Sequence, residues 1–235
     1  VAVAAGLAPA AIGSDTGGSV RIPAALCGVV GLKTTAGRVS NHGTLRLSGT
    51  LDTIGPLTRD VEDAALLFNA LHGPDVNDPP TLTRAPVHVL TGLKDPLGGL
   101  RLAVLPQAEL GELDEEVASA FDAALEVLRG LGARVDTLRL PRPYSSLADL
   151  TGRIIAAEGY ALHREWIDRN DLPFDRDVRA RLRTGRAVSA ADYIGMLNER
   201  RQLQHEADRL LRDFDALVLP TTPLPPVPLD EADQS

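Results

Sequence analysis

The sequence predicts an α/β fold, and three consecutive segments lead to that class. Residues 100–105 are aliphatic and β-branched, which is typical of a buried strand. Apolar residues then recur at helical spacing over 117–131, and Gly132 ends that helix. Residues 133–138 alternate between apolar and polar side chains, as a second strand does. A strand, a helix and a strand in this order indicate a βαβ unit in an α/β sheet.

Four short elements and one turn are predicted before residue 74. The elements are a buried strand over 10–13, a helix over 23–28 with Pro23 in its first turn, a strand over 29–33, and a helix over 61–71 that Thr58 or Asp60 caps. The dipeptide Gly55-Pro56 predicts a turn.

The remaining chain reads as a connection followed by helices and one late strand. Residues 74–99 contain several prolines and no sustained period, which predicts a surface connection. Helices are expected over 146–169 and 174–184, and a long helix begins at Ser189, which forms a capping box with Asp192. A strand over 215–219 precedes a proline-rich stretch, which ends regular structure.

Composition excludes several classes of protein. Of the 235 residues, 44% are apolar, which is enough for a core, and the net charge of -8 argues against a nucleic-acid surface. Cys27 is the single cysteine, so no intramolecular disulfide forms, and a reducing, cytoplasmic location is expected. The apolar opening is too short for a membrane span, and it lacks an initiator Met, which suggests a piece of a longer polypeptide.

The stretch over 13–23, GSDTGGSVRIP, carries the chemistry. Gly17 and Gly18 remove the side chains that would hold a ligand away from the backbone, and Ser19 follows them directly. A serine at such a turn exposes its hydroxyl where backbone N–H groups converge. That arrangement suits a nucleophile beside an oxyanion hole.

Three ordered blocks resemble the amidase signature family. They are 13–23 with 27–33, then 51–65, and finally 189–193 with 215–223. The resemblance implies a mixed central sheet flanked by helices, incomplete at its N-terminus. It treats residues 1–235 as one partial domain: 1–73 is the nucleophile-bearing core, 74–99 the connection, and 100–235 the remaining sheet and helices.

The family also implies roles for individual residues. Ser19 matches the nucleophile that forms an acyl-enzyme with a small-molecule amide, and the N–H groups of Thr16, Gly17, Gly18 and Ser19 match the oxyanion hole. Asp15 and Arg21 match charged positions that support the loop. No organic cofactor or metal is implied, nor any membrane or nucleic-acid partner, and a homodimer is left open.

The general base of the family is missing from this sequence. Relatives use a lysine and a bridging serine, both upstream of the segment that opens this chain. Lys33 and Lys94 are the two lysines here, and neither matches the base. We therefore expect the isolated chain to be inactive. The alternatives are a catalytically dead remnant and an A-type subunit of a glutamyl-tRNA amidotransferase, although Ile22 stands where those subunits often have glutamine and favours a stand-alone amidase.

Three rival readings are weaker. A Ser-His-Asp hydrolase would use one of the five histidines, but none lies in a recognisable motif and the Gly-x-Ser-x-Gly elbow is absent. A metal site at Glu158 and His163 fails because their spacing places them on different faces of one helix. The stretch over 220–228 has PxxP spacing, which is typical of ligands for proline-recognition domains.

Overall fold

A computed structural model describes residues 1–228 of the chain. It contains two three-stranded sheets and six α-helices within those residues. The elements in chain order are β1 (Ala10–Asp15), α1 (Arg21–Leu26), β2 (Val30–Gly31), β3 (Thr53–Thr58), α2 (Val61–Leu71), β4 (Arg101–Val104), α3 (Glu115–Gly130), β5 (Arg134–Thr137), α4 (Tyr144–Ile167), α5 (Arg176–Arg183), α6 (Ala190–Leu210) and β6 (Ala216–Val218). The structure therefore confirms the α/β class.

The first sheet is antiparallel and places the end of β1 beside the nucleophile loop. Its strand order is β1-β3-β2, and β1 runs against β3 from Ala10 opposite Thr58 to Asp15 opposite Thr53. β3 is the best buried of the three strands, with five of its six residues buried. β1 therefore has a firm neighbour along its whole length, which fixes where the chain leaves the sheet at Asp15.

The predicted turn at Gly55-Pro56 is wrong, because both residues lie inside β3. Proline is disfavoured in a central strand since it lacks a ladder donor. The Pro56 carbonyl accepts from the Leu32 N–H at 3.0 Å, so its nitrogen also faces the β2 side. β2 pairs there only with Leu57 and Thr58, so the missing N–H breaks no ladder bond.

The strand predicted over 10–13 is present, but the expectation that it is buried is wrong. β1 is an edge strand of its sheet, and Ile12 is 57% exposed. Ala11 and Ser14 are exposed as well, whereas Asp15 at the end of the strand is fully buried. Among residues 1–228, β1 pairs with β3 alone, so one of its edges and the side chain of Ile12 face solvent.

The second sheet is parallel and contains the predicted βαβ unit. β4 lies between β5 and β6 and pairs with both in parallel, and α3 connects β4 to β5. The side chain of Asp114 caps α3 by accepting from the Glu116 N–H at 2.9 Å. Leu102, Ala103 and Val104 of β4 are buried, as expected of the central strand.

Three helices pack together, and two of them, α4 and α5, line the cleft that contains Ser19. α4 packs against α5 and α6, and Leu150 and Ile154 of α4 form a buried cluster with Met196 of α6. The predicted capping box of Ser189 and Asp192 is present at the start of α6. In residues 1–228, no helix is long and apolar enough to cross a membrane.

The segment over 74–99 is mostly irregular, with a short 3₁₀-helix at Pro79–Thr83. Thr81 is buried there, and Val87 and Val89 pack against a cluster that includes Phe68 of α2. The segment therefore packs against α2, the helix that follows the first sheet in the chain. The division of the chain at 74 and 99 stays a prediction.

We expect Gly55→Ala to destabilise the protein by about 3 kcal/mol or more, because an added Cβ would lie 1.9 Å from the backbone oxygen of Leu32. Gly195→Ala in α6 is the matched control. Nothing lies within 4 Å of its added Cβ, so replacing a helical glycine should stabilise the protein by about 0.5–1 kcal/mol. Urea unfolding of both variants tests this, and equal effects would contradict the close approach of the two backbones.

Candidate active site

The nucleophile loop, which we define as residues 16–20, connects β1 to α1 and presents Ser19 to an open cleft. Ser19 is exposed, whereas Gly18 and Val20 on either side of it are buried. The cleft has a volume of about 530 Å³ and is bounded by this loop and by residues of α4 and α5. The structure thus presents the serine to a cavity, as the sequence predicts.

The carboxylate of Asp15 organises the loop. It accepts five hydrogen bonds: from the N–H groups of Gly18 (2.8 Å), Val20 (3.2 Å) and Arg21 (3.3 Å), and from Nε (3.0 Å) and Nη2 (2.9 Å) of the Arg21 side chain. Asp15 and Arg21, which the family resemblance assigns to support of the loop, are thus paired with each other. Because Val20 at the start of α1 has no side-chain cap of its own, Asp15 also satisfies the first N–H groups of that helix.

Asp15 is ionised in this setting. Burial by itself raises the pKa of its carboxyl, but the hydrogen bond and charge of Arg21, together with the N–H groups of Val20 and Arg21, outweigh burial. The pKa of Asp15 consequently lies below its ordinary value. An ionised carboxylate with no exposed surface needs this many donors to remain stable.

The two glycines serve different purposes. Gly18 has φ +139°, a conformation that residues with a Cβ rarely adopt. Gly17 lies against α4, where an added Cβ would be 3.3 Å from Cδ1 of Ile155. The Gly18 N–H is bonded to Asp15, whereas those of Gly17 and Ser19 are not among the donors to that carboxylate. Of the four predicted oxyanion donors, Gly18 is thus the one already engaged.

The wall opposite Ser19 is lined by small residues of α4 and by one cation. Ala148, Thr151 and Gly152 face the cleft, and an added Cβ at Gly152 would meet nothing within 4 Å. Arg181 of α5 lines the same cleft and has an exposed side chain. The cleft therefore has open space beside Gly152, and Arg181 places a positive charge on its wall.

Two buried carboxylates near the loop were not identified as site residues from the sequence. Asp52 accepts from the Thr16 hydroxyl at 2.5 Å, and Glu158 accepts from Thr50 and Tyr193. Burial alone raises the pKa of Glu158, but its hydroxyl donors outweigh burial and lower it. Burial and the neighbouring Glu158 carboxylate raise the pKa of Tyr193 to about 12. Asp52 lies in the second block that resembles the family, so a signal for it existed.

Neither lysine belongs to the Ser19 cleft. Lys33 donates to the Thr34 carbonyl at 2.9 Å and lines a separate cavity beside α2. Desolvation, followed by the charge of Arg21, lowers the pKa of Lys33, although Asp15 opposes this. Lys94 forms a surface ion pair with Glu62 at 3.2 Å. In residues 1–228, no lysine therefore lines the cleft that contains Ser19.

The residues that the three alternative interpretations would use make other contacts in the structure. His72 stacks on Phe68 and bonds its carbonyl at 3.1 Å, and Nε2 of His163 lies 2.5 Å from the Arg46 carbonyl oxygen. In residues 1–228, no group of three or more His, Cys, Asp or Glu side chains is placed to hold a metal ion. The Pro223 carbonyl accepts from the Asp114 N–H at 3.0 Å, so part of the proline-rich stretch contacts its own domain.

We expect Arg21→Gln to destabilise the full-length protein by about 1–2 kcal/mol at neutral pH, because Asp15 loses its charged partner while the exposed side of Arg21 limits the effect. A depressed pKa stabilises the fold above the unfolded-state value, about 3.9, and this stabilisation is lost as the pH falls through the folded-state pKa. The difference between wild type and variant should therefore shrink below about pH 4.

Urea unfolding over a series of pH values measures this difference. Arg129→Gln is the control, since it removes an exposed ion pair with Glu126 and should change stability by less than about 0.5 kcal/mol. A difference between wild type and Arg21→Gln that stays constant down to pH 2 would show that the ionised Asp15 is not what Arg21 stabilises.

Comparison with known proteins places this site in a family. A family profile described as Amidase matches residues 1–235. The A-type chain of the glutamyl-tRNA(Gln) amidotransferase of Thermotoga maritima is 35% identical over 245 residues, which is 95% of this chain and 51% of that protein.

Two solved structures extend the similarity to the fold. One, described as a vestigial protein complex that reveals the evolutionary origins of an s-triazine catabolic enzyme, has a TM-score of 0.86 at 32% identity over 97% of this chain and 49% of its own. A bacterial aryl acylamidase of the amidase signature family has a TM-score of 0.83 at 27% identity over 96% of this chain and 48% of its own. The chain spans about half the length of the relatives it matches, and it belongs to the amidase signature family.

Proposed function

We propose that the full-length protein hydrolyses a carboxylic amide with Ser19 as nucleophile. The observation that carries the proposal is the exposed Ser19 in an open cleft, on a loop that Asp15 holds through three backbone N–H groups. Ser19 Oγ attacks the amide carbonyl, the C–N bond breaks, and ammonia or an amine leaves after it gains a proton. Water then cleaves the acyl-serine ester and releases the carboxylic acid.

The backbone N–H groups of Thr16, Gly17 and Ser19 are the proposed donors to the developing oxyanion. Fixed donors of this kind are worth roughly 10²–10³ in rate each, because they are already oriented when charge develops. The Gly18 N–H serves the loop instead, through its 2.8 Å bond to Asp15. Asp15 and Arg21 act as loop support and do not touch the substrate in this proposal.

A general base completes the proposed mechanism from outside these 235 residues. Lys33 and Lys94 are engaged elsewhere, and the family resemblance assigns the base to an upstream lysine that acts through a bridging serine. A lysine needs burial to lower its pKa from about 10.4 before it accepts a proton near neutrality. The isolated chain should accordingly retain the nucleophile loop and lack turnover.

The proposed substrate is a small amide, and two features of the cleft bear on its type. Ile22 lines the cleft with an apolar side chain, which favours a stand-alone amidase. Arg181 is in no ion pair within residues 1–228, and a free guanidinium favours a substrate with a carboxylate. The cytoplasmic location, supported by the single cysteine, and a homodimer stay predictions.

A role as the A-type chain of a glutamyl-tRNA amidotransferase is the second candidate function. Sequence relatives at 35–39% identity carry that name, and a partner protein would then be required. Release of ammonia from glutamine, compared with hydrolysis of neutral primary amides and anilides, separates the two candidates. Arg181→Ala should raise KM for glutamine much more than KM for a neutral amide.

Labelling of the full-length protein by a fluorophosphonate probe, mapped to a residue, tests the nucleophile. We expect the label on Ser19, and we expect Ser19→Ala to abolish both labelling and amide hydrolysis. Variants of the exposed histidines His42, His88 and His205 should keep both, since the mechanism uses no histidine. A Ser-His-Asp enzyme with one of these three histidines as its base would lose activity in that variant.

The fragment itself supplies a second test. The isolated 235-residue chain should show no substantial hydrolysis of the same amides, and hydrolysis that Ser19→Ala removes would contradict an external base. If the full-length protein neither hydrolyses amides nor is labelled at Ser19, the remaining interpretation is a catalytically dead remnant.

A further inference from the structure

A loop over residues 46–52 is bonded both to the nucleophile loop and to α4, and one of its residues lines the cleft. Leu47 of this 46–52 loop lines the Ser19 cleft. The loop has no regular secondary structure, so side chains must fix it. Two buried carboxylates, Asp52 at 7% exposure and Glu158 at 8%, accept most of its hydrogen bonds.

Asp52 connects the nucleophile loop to the wall of the cleft. Its Oδ1 accepts from the Thr16 hydroxyl at 2.5 Å, and its Oδ2 accepts from the N–H groups of Leu47 at 2.8 Å and Ser48 at 3.0 Å. One oxygen of Asp52 is therefore bonded to the nucleophile loop, and the other is bonded to the 46–52 loop. A rotation of this carboxylate would move Thr16 and Leu47 together.

Glu158 fixes the other side of the same loop to α4. It accepts from the Ser48 hydroxyl, from the N–H and hydroxyl of Thr50 at 3.1 and 2.7 Å, and from the Tyr193 hydroxyl at 2.5 Å. Four donors from two segments converge on this one carboxylate. The 46–52 loop thus has a fixed position relative to the helix that forms the opposite wall.

We propose that Asp52 is a positioning residue for catalysis, which holds Thr16 and thereby the adjacent Gly17 N–H where the oxyanion forms. The inference rests on the proposed function of Ser19. Asp52 touches no substrate; it acts through Thr16, and Glu158 supports it by anchoring the 46–52 loop. Displacement of an oxyanion donor by about 1 Å costs roughly 10²-fold in rate, so a residue one step removed can control turnover.

Asp52→Asn in the full-length protein tests the proposal. An asparagine has one acceptor oxygen where the carboxylate has two, so either the Thr16 hydroxyl or the N–H groups of Leu47 and Ser48 lose their acceptor. We expect kcat and the rate of fluorophosphonate labelling at Ser19 to fall by roughly 10- to 100-fold. KM for the best amide in the panel should change by less than about threefold, because the contact is not made to the substrate.

Asp75→Asn is the matched control. Asp75 also accepts from one side-chain hydroxyl, Ser40 at 2.6 Å, and from a backbone N–H, that of Asn77 at 2.8 Å, but it does not line the cleft. It should match wild type in kcat and labelling. Thr16→Val should lower kcat and labelling as Asp52→Asn does, and in the double variant the two effects should be less than additive, because the Thr16–Asp52 contact can be lost only once.

The outcomes separate this inference from the proposed function. If Ser19→Ala abolishes labelling while folded Asp52→Asn labels at the wild-type rate, the role of Asp52 is overturned and the nucleophile stands. If Asp52→Asn does not fold, Thr16→Ser and Thr16→Val decide. Faster labelling in the serine variant, which keeps the hydroxyl, supports the inference, and equal rates overturn it.

Discussion

The buried carboxylate of Asp15 is the constraint on which the site depends. It lies at the end of β1, has no exposed surface, and takes up three backbone N–H groups and two from Arg21. Loss of any of these donors destabilises an ionised group so placed, since each unpaired buried charge or polar group is costly. The nucleophile loop is therefore closed around a fixed point, and Ser19 is turned outward because its neighbours Gly18 and Val20 are held inward.

The elements around the nucleophile loop fix the position of the loop and of the helices that line the cleft. β3 anchors β1 along its whole length, so the position of Asp15 follows from an antiparallel ladder. α4 approaches Gly17, where an added Cβ would lie 3.3 Å from Cδ1 of Ile155, and Gly185 allows the turn after α5 to approach the backbone of α4, where an added Cβ would lie 2.0 Å from the Ala156 oxygen. Close approach at glycines thus brings the helical wall to the cleft.

Local patterns predicted the elements that local interactions determine. The βαβ unit and the cap of α6 follow from periodicity and capping residues, and both are present; the helices predicted over 146–169 and 174–184 are found at 144–167 and 176–183. β3 was missed because Gly55-Pro56 signals a turn locally, whereas pairing with a strand some 40 residues earlier makes it extended. Ile12 was expected inside because it is apolar, but burial depends on what packs against it.

The same distinction applies to the candidate site. Ser19, Asp15 and Arg21 lie within one short stretch, so the sequence motif alone was enough to predict that they belong to one site. Asp52 bonds to a residue 36 positions away, and Glu158 bonds to one 110 positions away. A local sequence pattern does not predict contacts over such separations. Asp52 lies in a block that resembles the family, but the residue type of neither carboxylate indicates burial, since most acidic residues are solvated and only the fold shows that these two are buried.

The contacts that shape the nucleophile loop are separate from the proton transfer that the proposed mechanism requires. Every contact that shapes the loop, from Asp15 and Arg21 to Asp52 with Thr16, joins groups within residues 1–228. None of these contacts requires a proton acceptor for Ser19. Preorganised N–H groups stabilise charge once it forms, but the hydroxyl must first lose its proton. In the proposed mechanism the described residues therefore supply N–H groups that stabilise charge, whereas no lysine of residues 1–228 lines the cleft to accept the Ser19 proton.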